Sequence, residues 1–389
     1  MNYIDDNIQN GILIDWKSVI KEYNKLDIPN DVYTPINLPF NDAKYFIECS
    51  ERSIGKTTNW LLLGMILNKK YGITIEYIRQ TIDMIMPRHL KLFNTIIEHG
   101  YIEKITDGKY NNVKYFSRKF YYINTETGEE CANEFMNCLS IDNNMDYKSS
   151  YNSPRGDLII FDEFISKYYR VNEFIDFEDL IKTIIRERKS PIIAMLSNTI
   201  DRHNVYFKEL EIYDDIQQMR GGERKTVTTE MGTKIHINLI SNVKNSKKKS
   251  IHNKLFFGFK NELLNSIRGG EWATDSYPHI VSSKNTEIIL KNHYINFNDK
   301  LINIELVNTE NNGLCCFLHM ASKTYSDSII YTHRKELTSY NERYLFGYSK
   351  TDKLIWRLYE KNKFYYSDNT VGEIVNSYIK ICKQLKNRL

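Results

Sequence analysis

The chain lacks most of the marks that assign a sequence to a class at once. Its six cysteines (Cys49, Cys131, Cys138, Cys315, Cys316 and Cys382) form no C-x-x-C pair and no zinc-type spacing. That excludes a zinc ribbon and a disulfide framework, and leaves reduced core thiols in a cytosolic compartment as the expectation. No apolar run approaches the ~20 residues that a membrane-spanning helix needs, so no membrane partner is expected. The opening MNYIDDNIQNG is acidic and polar and is not expected to act as a secretory signal. Net charge is scarce as well. A balance of +4 over 389 residues is too small for a constitutive nucleic-acid binder, whose domains usually have a pI above ~9. Any contact with DNA has to be local and transient. The sequence also has no internal repeat and no long low-complexity tract.

What is present is an ordinary globular composition, 41% hydrophobic and 26% charged. The length exceeds the roughly 250–300 residues at which single cores stop growing, so two domains are expected. The abundance of Asn, Ile, Lys and Tyr, with 28 tyrosines, suggests an AT-rich genome more than a function. Residues 1–42 hold a short helical pattern, DWKSVIKEYNKL, and a stretch broken by Pro29, Pro35 and Pro39. From 43 to about 242, strand-like runs (AKYFIEC, GITIEYIRQ, GDLIIFDEF, PIIAMLSNT) alternate with helical ones (TNWLLLGMILNKK, MPRHLKLFNTIIEHG, VNEFIDFEDLIKTIIRERK). Strands spaced by helices predict a parallel α/β sheet. Between them, KYNNVKYFSRKFYYINTETGEECANEFMNCLS reads as a hairpin-rich insertion with a turn at Thr127–Gly128. A basic, polar stretch, VKNSKKKSIHNK, then reads as a linker, followed by a helical FKNELLNSIRGGEW. From about 285 onward, further strands (KLINIELVN, GLCCFLHMA, DSIIYTHR, KNKFYYSD) lead to a closing helix, TVGEIVNSYIKICKQLKNR.

Three stretches carry chemistry. SERSIGKTT, residues 50–58, ends as a phosphate-binding loop ends, although Ser50 stands where G-x-x-x-x-G-K-S/T has its first glycine. The strand-like KYFIEC delivers the loop and a helical run leaves it, which is what an anion-binding helix N-terminus requires. The loop residues Ser50, Glu51, Arg52, Ser53, Ile54, Gly55, Lys56, Thr57 and Thr58 would cradle a nucleotide. Lys56 would hold the β- and γ-phosphates, and the Thr57 hydroxyl would ligate Mg²⁺. RGDLIIFDEF describes a buried parallel strand with Asp162 and Glu163 at its C-terminal edge, where ligands bind in open α/β sheets. Asp162 would hold Mg²⁺ and Glu163 would polarise the attacking water. PIIAMLSNTI places Asn198, with Ser197 and Thr199, beside the γ-phosphate as a sensor of hydrolysis. Arg186 and Arg188, at a helix end, could stabilise transition-state charge in a neighbouring subunit, or simply complement their own helix dipole. For DNA, the cations of the hairpin (Lys109, Lys114, Arg118, Lys119) and the run Lys247, Lys248 and Lys249 are the phosphate-directed candidates. A solvated hairpin and a soluble linker are the plain alternatives.

Together, S-x-R-x-x-G-K-T-T, I-R-Q-T, IIFDE and LSNT resemble the large-terminase branch of the P-loop ATPases. An arginine inside the loop (here Arg52) is common there, and the first glycine is often serine. Length, the late DEF and the small C-terminal domain look most like the DNA-packaging ATPases, or encapsidation proteins, of small short-tailed phages that prime replication with a terminal protein. The motifs cover about residues 43–242; beyond them the resemblance rests on length and layout. Glu51 inside the loop, Ser50, and a long spacing from loop to DE depart from the pattern.

The resemblance implies a P-loop ASCE (RecA/terminase-like) ATPase domain over 1–242, with an N-terminal extension over 1–42. A linker over 243–284 and a small α+β domain over 285–389 would follow, the latter a vestigial RNase H-like nuclease. It implies ATP and Mg²⁺ as cofactors and a homomeric ring, typically a pentamer. That ring would dock on the portal of a prohead in the host cytoplasm and pump double-stranded DNA inward; a packaging RNA is left open. The strand acids Glu305, Asp327 and Asp368 form no recognisable metal-ligand pattern, so no cleavage is expected. The alternatives are a full terminase that also cuts DNA, a P-loop kinase, and a binding module with a decayed ATP site.

Overall fold

The computed structural model describes residues 12–50, 54–81, 91–143, 147, 151–165, 173–198, 202–240, 277–279, 287–310, 312–333, 339–345 and 349–386. The described residues group into two compact units. One is drawn from Met1–Ile165, Glu173–Asp201 and Leu210–Trp272, the other from Ser166–Asn172, Arg202–Glu209 and Ala273–Leu389. Among the described residues no helix is long and apolar enough to cross a membrane.

The first unit begins with α1 (Trp16–Asn24), whose N-cap Asp15 accepts from the Ser18 amide at 3.2 Å; such a cap contributes ~1 kcal/mol. Then come β1 (Tyr45–Ser50), α2 (Lys56–Tyr71), β2 (Ile75–Arg79), two short helical turns (Asn94–Glu98 and Tyr101–Ile105), β3 (Asn112–Phe116), β4 (Lys119–Ile123), β5 (Met136–Ser140), β6 (Leu158–Asp162), α3 (Glu173–Ile185), β7 (Ile192–Ser197), β8 (Arg224–Thr228) and β9 (Lys234–Ile240). They build a nine-stranded sheet of order β3-β4-β5-β2-β6-β7-β1-β9-β8. From β5 to β9 the pairings are parallel, and an antiparallel hairpin closes each edge. The expected alternation of strands and helices is therefore present. The central strands read as unbroken apolar runs because both faces are covered: Leu158, Ile159, Ile160 and Phe161 are all fully buried. At Gly64 of α2, a Cβ would come within 2.5 Å of Ile75, so glycine lets that helix lie close on the sheet.

Register fixes the functional edge. Phe161 of β6 stands opposite Ile78 of β2, Asp162 opposite Leu196 of β7, and Cys49 of β1 opposite Ser197. The C-terminal ends of four neighbouring strands thus lie side by side, with β7 between the strand of the phosphate loop and the strand of Asp162. The tight turn of the β3–β4 hairpin falls at Ser117–Arg118, both at positive φ (50° and 63°), while the Gly128 turn (φ 74°) makes a second reversal. The segment read as an N-terminal extension joins the main core. Trp16, Val19, Tyr23, Tyr33 and Phe40 share one cluster with Phe46 and Trp60, and Trp16 stacks on Phe40 at 4.1 Å between ring centroids.

The second unit holds β10 (Glu287–Phe297), β11 (Lys300–Thr309), β12 (Gly313–Met320), β13 (Ile329–Thr332), β14 (Glu342–Arg343), α4 (Lys350–Glu360), β15 (Phe364–Tyr366) and α5 (Asn369–Lys386). Its six-stranded sheet runs β14-β13-β10-β11-β12-β15. β10, β11 and β12 form an antiparallel meander; β13 lies parallel to β10, and β14 parallel to β13. Ile355, Leu358, Val371, Ile374 and Tyr378 of the helices pack against Ile295, Ile304, Cys316 and Leu318 of the sheet. Ser349 and Asp352 close α4 with a capping box.

Candidate nucleotide-binding site

β1 ends at Ser50, and α2 starts at Lys56 behind Gly55, which is left-handed (φ 90°). A Cβ at Gly55 would approach Val32 Cγ1 to 2.5 Å and Asn59 Nδ2 to 2.9 Å. Glycine is needed there both for the turn and for the close approach. Glu51, Arg52 and Ser53 lie outside the described residues. Lys56 is only 4% exposed. Its Nζ donates to Ser50 Oγ and to Asn198 Oδ1, the latter at 3.1 Å. Burial presses its pKa down, while Cys49, Asp162, Glu48 and Glu163 oppose that trend.

Across the strand ends, Thr57 Oγ1 donates to Asp162 Oδ1 at 3.2 Å. Asp162 Oδ2 accepts from the Tyr77 hydroxyl at 2.7 Å and from Arg79 Nη1 at 3.0 Å. The other arm of the same guanidinium, Nη2, donates to Glu163 Oε2 at 2.6 Å, and Asn198 Nδ2 donates to Glu163 Oε1 at 3.3 Å. Asn198 therefore joins the loop lysine to the second carboxylate. Burial works against the Arg79 charge, but Tyr77, Asp162 and Glu163 outweigh it and hold the guanidinium charged. The Arg79 and Asp162 side chains are 13% and 10% exposed, against 42% for Glu163. The pair with Asp162 is thus well shielded, so losing either partner would leave the other charge desolvated and uncompensated. Glu163 itself sits at φ 54°, a conformation that costs a non-glycine residue roughly 1–2 kcal/mol. Asp162 Oδ1, which also accepts from the Glu163 amide at 3.1 Å, and the Thr57 hydroxyl are hard oxygen ligands side by side, a donor set that suits Mg²⁺.

The structure thus brings together Ser50, Lys56, Thr57, Asp162, Glu163 and Asn198 of the expected residues. It adds Arg79 and Tyr77. In the sequence, Arg79 is signalled by the I-R-Q-T motif at the end of a strand-like run, and Tyr77 only by its place in that run. Gln80 extends the arrangement, its Nε2 donating to the Phe164 carbonyl at 3.0 Å and to buried Glu173 at 3.1 Å. Arg186 and Arg188 stand apart, near the N-terminal end of β6. Arg188 is used up within its own chain. It donates to Asp157 Oδ1 (2.8 Å) and to the carbonyls of Ser153 (2.8 Å), Gly156 (3.1 Å) and Ile184 (3.0 Å). Arg186 is exposed and donates to the Tyr151 carbonyl at 3.2 Å.

The hairpin cations are present but paired. Lys109 meets Glu129 at 3.0 Å, Lys114 meets Glu130 at 2.6 Å, and Lys119 meets Glu134 at 2.6 Å. Arg118 donates to the Tyr147 hydroxyl at 3.2 Å. Lys247, Lys248 and Lys249 lie outside the described residues. In the second unit, Lys350, Lys353, Arg357 and Lys361 recur every three or four positions along α4, hence on one face. All four are exposed. Glu305 faces His319 at 3.5 Å, Asp327 lies in a turn, and Asp368 accepts from the Val371 amide at the start of α5. No group of three or more metal-ligating side chains occurs among the described residues.

No family model and no curated protein matches the chain. Among solved structures, the phi-28 gp11 DNA packaging motor aligns over 91% of this chain and 99% of that one, at 18% identity and a TM-score of 0.55. The bacteriophage phi-29 viral genome packaging motor assembly aligns over 90% and 99%, at 17% identity and a TM-score of 0.57. Both alignments span the two units. At these identities the likeness is one of fold: along nearly its whole length, the chain has the fold of the phage DNA-packaging motor proteins.

Proposed function

We propose that the chain is the ATP-hydrolysing subunit of a phage genome-packaging motor that translocates double-stranded DNA. The observation that carries this reading is the meeting of Lys56, Thr57, Asp162, Glu163 and Asn198 at the ends of adjacent parallel strands, in a fold shared with packaging motors. Lys56 binds the β- and γ-phosphates of ATP. Thr57 and Asp162 hold Mg²⁺, which supplies charge neutralisation at the phosphate oxygens. Glu163 accepts a hydrogen bond from the attacking water and polarises it. Asn198, bonded to both Lys56 and Glu163, registers whether the γ-phosphate is still attached. Arg79 is a positioning residue: its fork, bonded to Asp162 and Glu163 at once, holds both carboxylates in place for Mg²⁺ and for the water.

Arg186 is the residue we assign to a neighbour's nucleotide in a homomeric ring, because Arg188 already has four acceptors in its own chain. The ring, a pentamer, works on the portal of a prohead in the host cytoplasm; a packaging RNA is a further candidate partner. The meander β10-β11-β12, extended beyond its first strand by the parallel β13 and then β14, supports a nuclease-derived second unit. The separation of Glu305, Asp327 and Asp368 supports one that grips DNA without cutting it. The acid-paired hairpin is a poorer place for phosphate contacts than the basic face of α4. The experiment that tests the reading is ATP turnover with and without double-stranded DNA. A motor is stimulated several-fold; turnover indifferent to DNA would favour a kinase-type enzyme.

A further inference from the structure

Two contacts reach the phosphate loop from the N-terminal segment. The Tyr33 amide donates to the Ile54 carbonyl at 2.9 Å. The second is a relay: the Tyr23 hydroxyl donates to Asn59 Oδ1, and Asn59 Nδ2 donates to the Gly55 carbonyl at 2.8 Å. Tyr23 and Asn59 are 1% and 2% exposed. The order of donors matters. Because Asn59 Oδ1 is taken by the phenol, the amide must present its NH₂ end to Gly55. Burial pushes the Tyr23 pKa far up, so the phenol remains a donor. The peptide that joins Gly55 to Lys56 is planar, with its C=O and N–H on opposite sides. The same oxygen accepts the Asn59 main-chain amide at 3.0 Å, so the side chain adds a second tie; the two together fix the direction in which the Lys56 amide points, and that amide is one of the backbone donors a phosphate loop offers its ligand.

From this geometry we infer that Tyr23 and Asn59 are positioning residues for the nucleotide phosphates, so that α1 sets how tightly ATP and ADP are held. The inference rests on the reading of SERSIGKTT as a nucleotide loop and deepens it. Neither residue is assigned a phosphate contact, and the side-chain bonds of Glu163 run to Arg79 and Asn198 instead. The effect of Tyr23 and Asn59 falls on affinity and leaves the chemical step alone. Whatever breaks the Tyr23–Asn59 bond loosens the loop, which makes the N-terminal segment a handle for nucleotide release.

The test uses the full chain, with fluorescent ADP binding and steady-state ATP turnover as parallel readouts. Tyr23→Phe removes one hydroxyl and keeps the ring. It should weaken ADP and raise KM for ATP by about five- to tenfold, as expected for one lost buried hydrogen bond, with kcat within about twofold of wild type. Asn59→Asp, which turns a carboxylate toward the Gly55 carbonyl, should weaken ADP further. Tyr71→Phe is the control. Tyr71 accepts from the Asp15 amide at 3.1 Å, so its loss loosens the same pair of helices without touching Asn59. It should leave ADP affinity unchanged. The inference is overturned if Tyr23→Phe binds ADP as wild type does, if its loss appears in kcat and not in KM, or if Tyr71→Phe weakens ADP equally. A wild-type chain that binds neither nucleotide would overturn the loop reading itself, and the brace with it.

Discussion

In the first unit Lys56, Arg79 and the adjacent pair Asp162 and Glu163 come from three separate stretches of chain and are joined by hydrogen bonds, Lys56 through Asn198. In the second unit Glu305, Asp327 and Asp368 stay on separate elements, while Lys350, Lys353, Arg357 and Lys361 stand exposed on one helix face. Acids and bases gathered at a sheet edge, partly dry and mutually bonded, can move charge during a reaction. Cations in a row on a helix, with water around them, can only attract and hold. On the proposed function, the first unit does the chemistry and the second supplies the grip. The hairpin lysines Lys109, Lys114 and Lys119 are offset by Glu129, Glu130 and Glu134.

The strongest way to break this comparison is to remove the lysine of the first unit. Lys56→Ala should lower ATP turnover by at least about 100-fold and weaken ATP binding as well, since the lysine contacts phosphate before and during the reaction. Turnover within tenfold of wild type would place the chemistry elsewhere. Next comes Arg79. Arg79→Ala leaves Asp162 without its shielded partner and frees Glu163, and should cost about 10- to 100-fold in turnover together with a fall in melting temperature. Arg79→Lys should recover the stability better than the turnover, because an ammonium cannot span both carboxylates as the fork does. Equal recovery of both would show that Arg79 acts through stability alone.

The grip can be sharpened with charge. Changing Lys350, Lys353, Arg357 and Lys361 to glutamine should leave basal turnover intact and weaken DNA binding several-fold. The salt dependence of that binding should become shallower, by about 0.9 per phosphate contact removed. The same treatment of Lys109, Lys114 and Lys119 should do less, since each already has an acid partner. The opposite ranking would return the DNA track to the hairpin.

The smallest effect concerns pH. Glu48, fully buried on β1, accepts from Asn238 Nδ2 at 2.9 Å, and burial raises its pKa to about 8. In the unfolded chain it titrates near 4.5. The folded protein therefore holds this proton more tightly. The stability it contributes is complete below pH ~4.5 and is lost as pH rises through about 8. Melting temperatures at pH 6 and pH 8.5 should differ more in wild type than in Glu48→Gln. Parallel falls in the two proteins would remove Glu48 from the pH response.

How much of this was readable in the sequence depends on chain distance. GKTT, IIFDE and LSNT each announce themselves locally, as an apolar run ending in a few polar residues, and strand periodicity then implies that their ends share an edge. I-R-Q-T includes Arg79 in the resemblance, but its bonds to Asp162 and Glu163 depend on β2 lying next to β6, and strand order is a tertiary fact. The hairpin lysines were readable as cations but not as paired ones, since their glutamates lie on the returning chain. The helix α1 looked like an extension because Tyr23 reaches Asn59 across 36 positions. The basic face of α4 could have been found from its three- and four-residue spacing.

The most direct test of the central claim is the Glu163→Gln variant, examined for ATP binding and for single-turnover hydrolysis. Glutamine keeps the shape and the bond to Asn198 but cannot serve as the base. ATP should therefore bind as tightly as in wild type or more tightly, and remain uncleaved, with hydrolysis slowed by at least about 100-fold. Cleavage at the wild-type rate, or a loss of ATP binding as large as that of Lys56→Ala, would contradict the role of Glu163 and with it the assignment of this edge as the hydrolytic site.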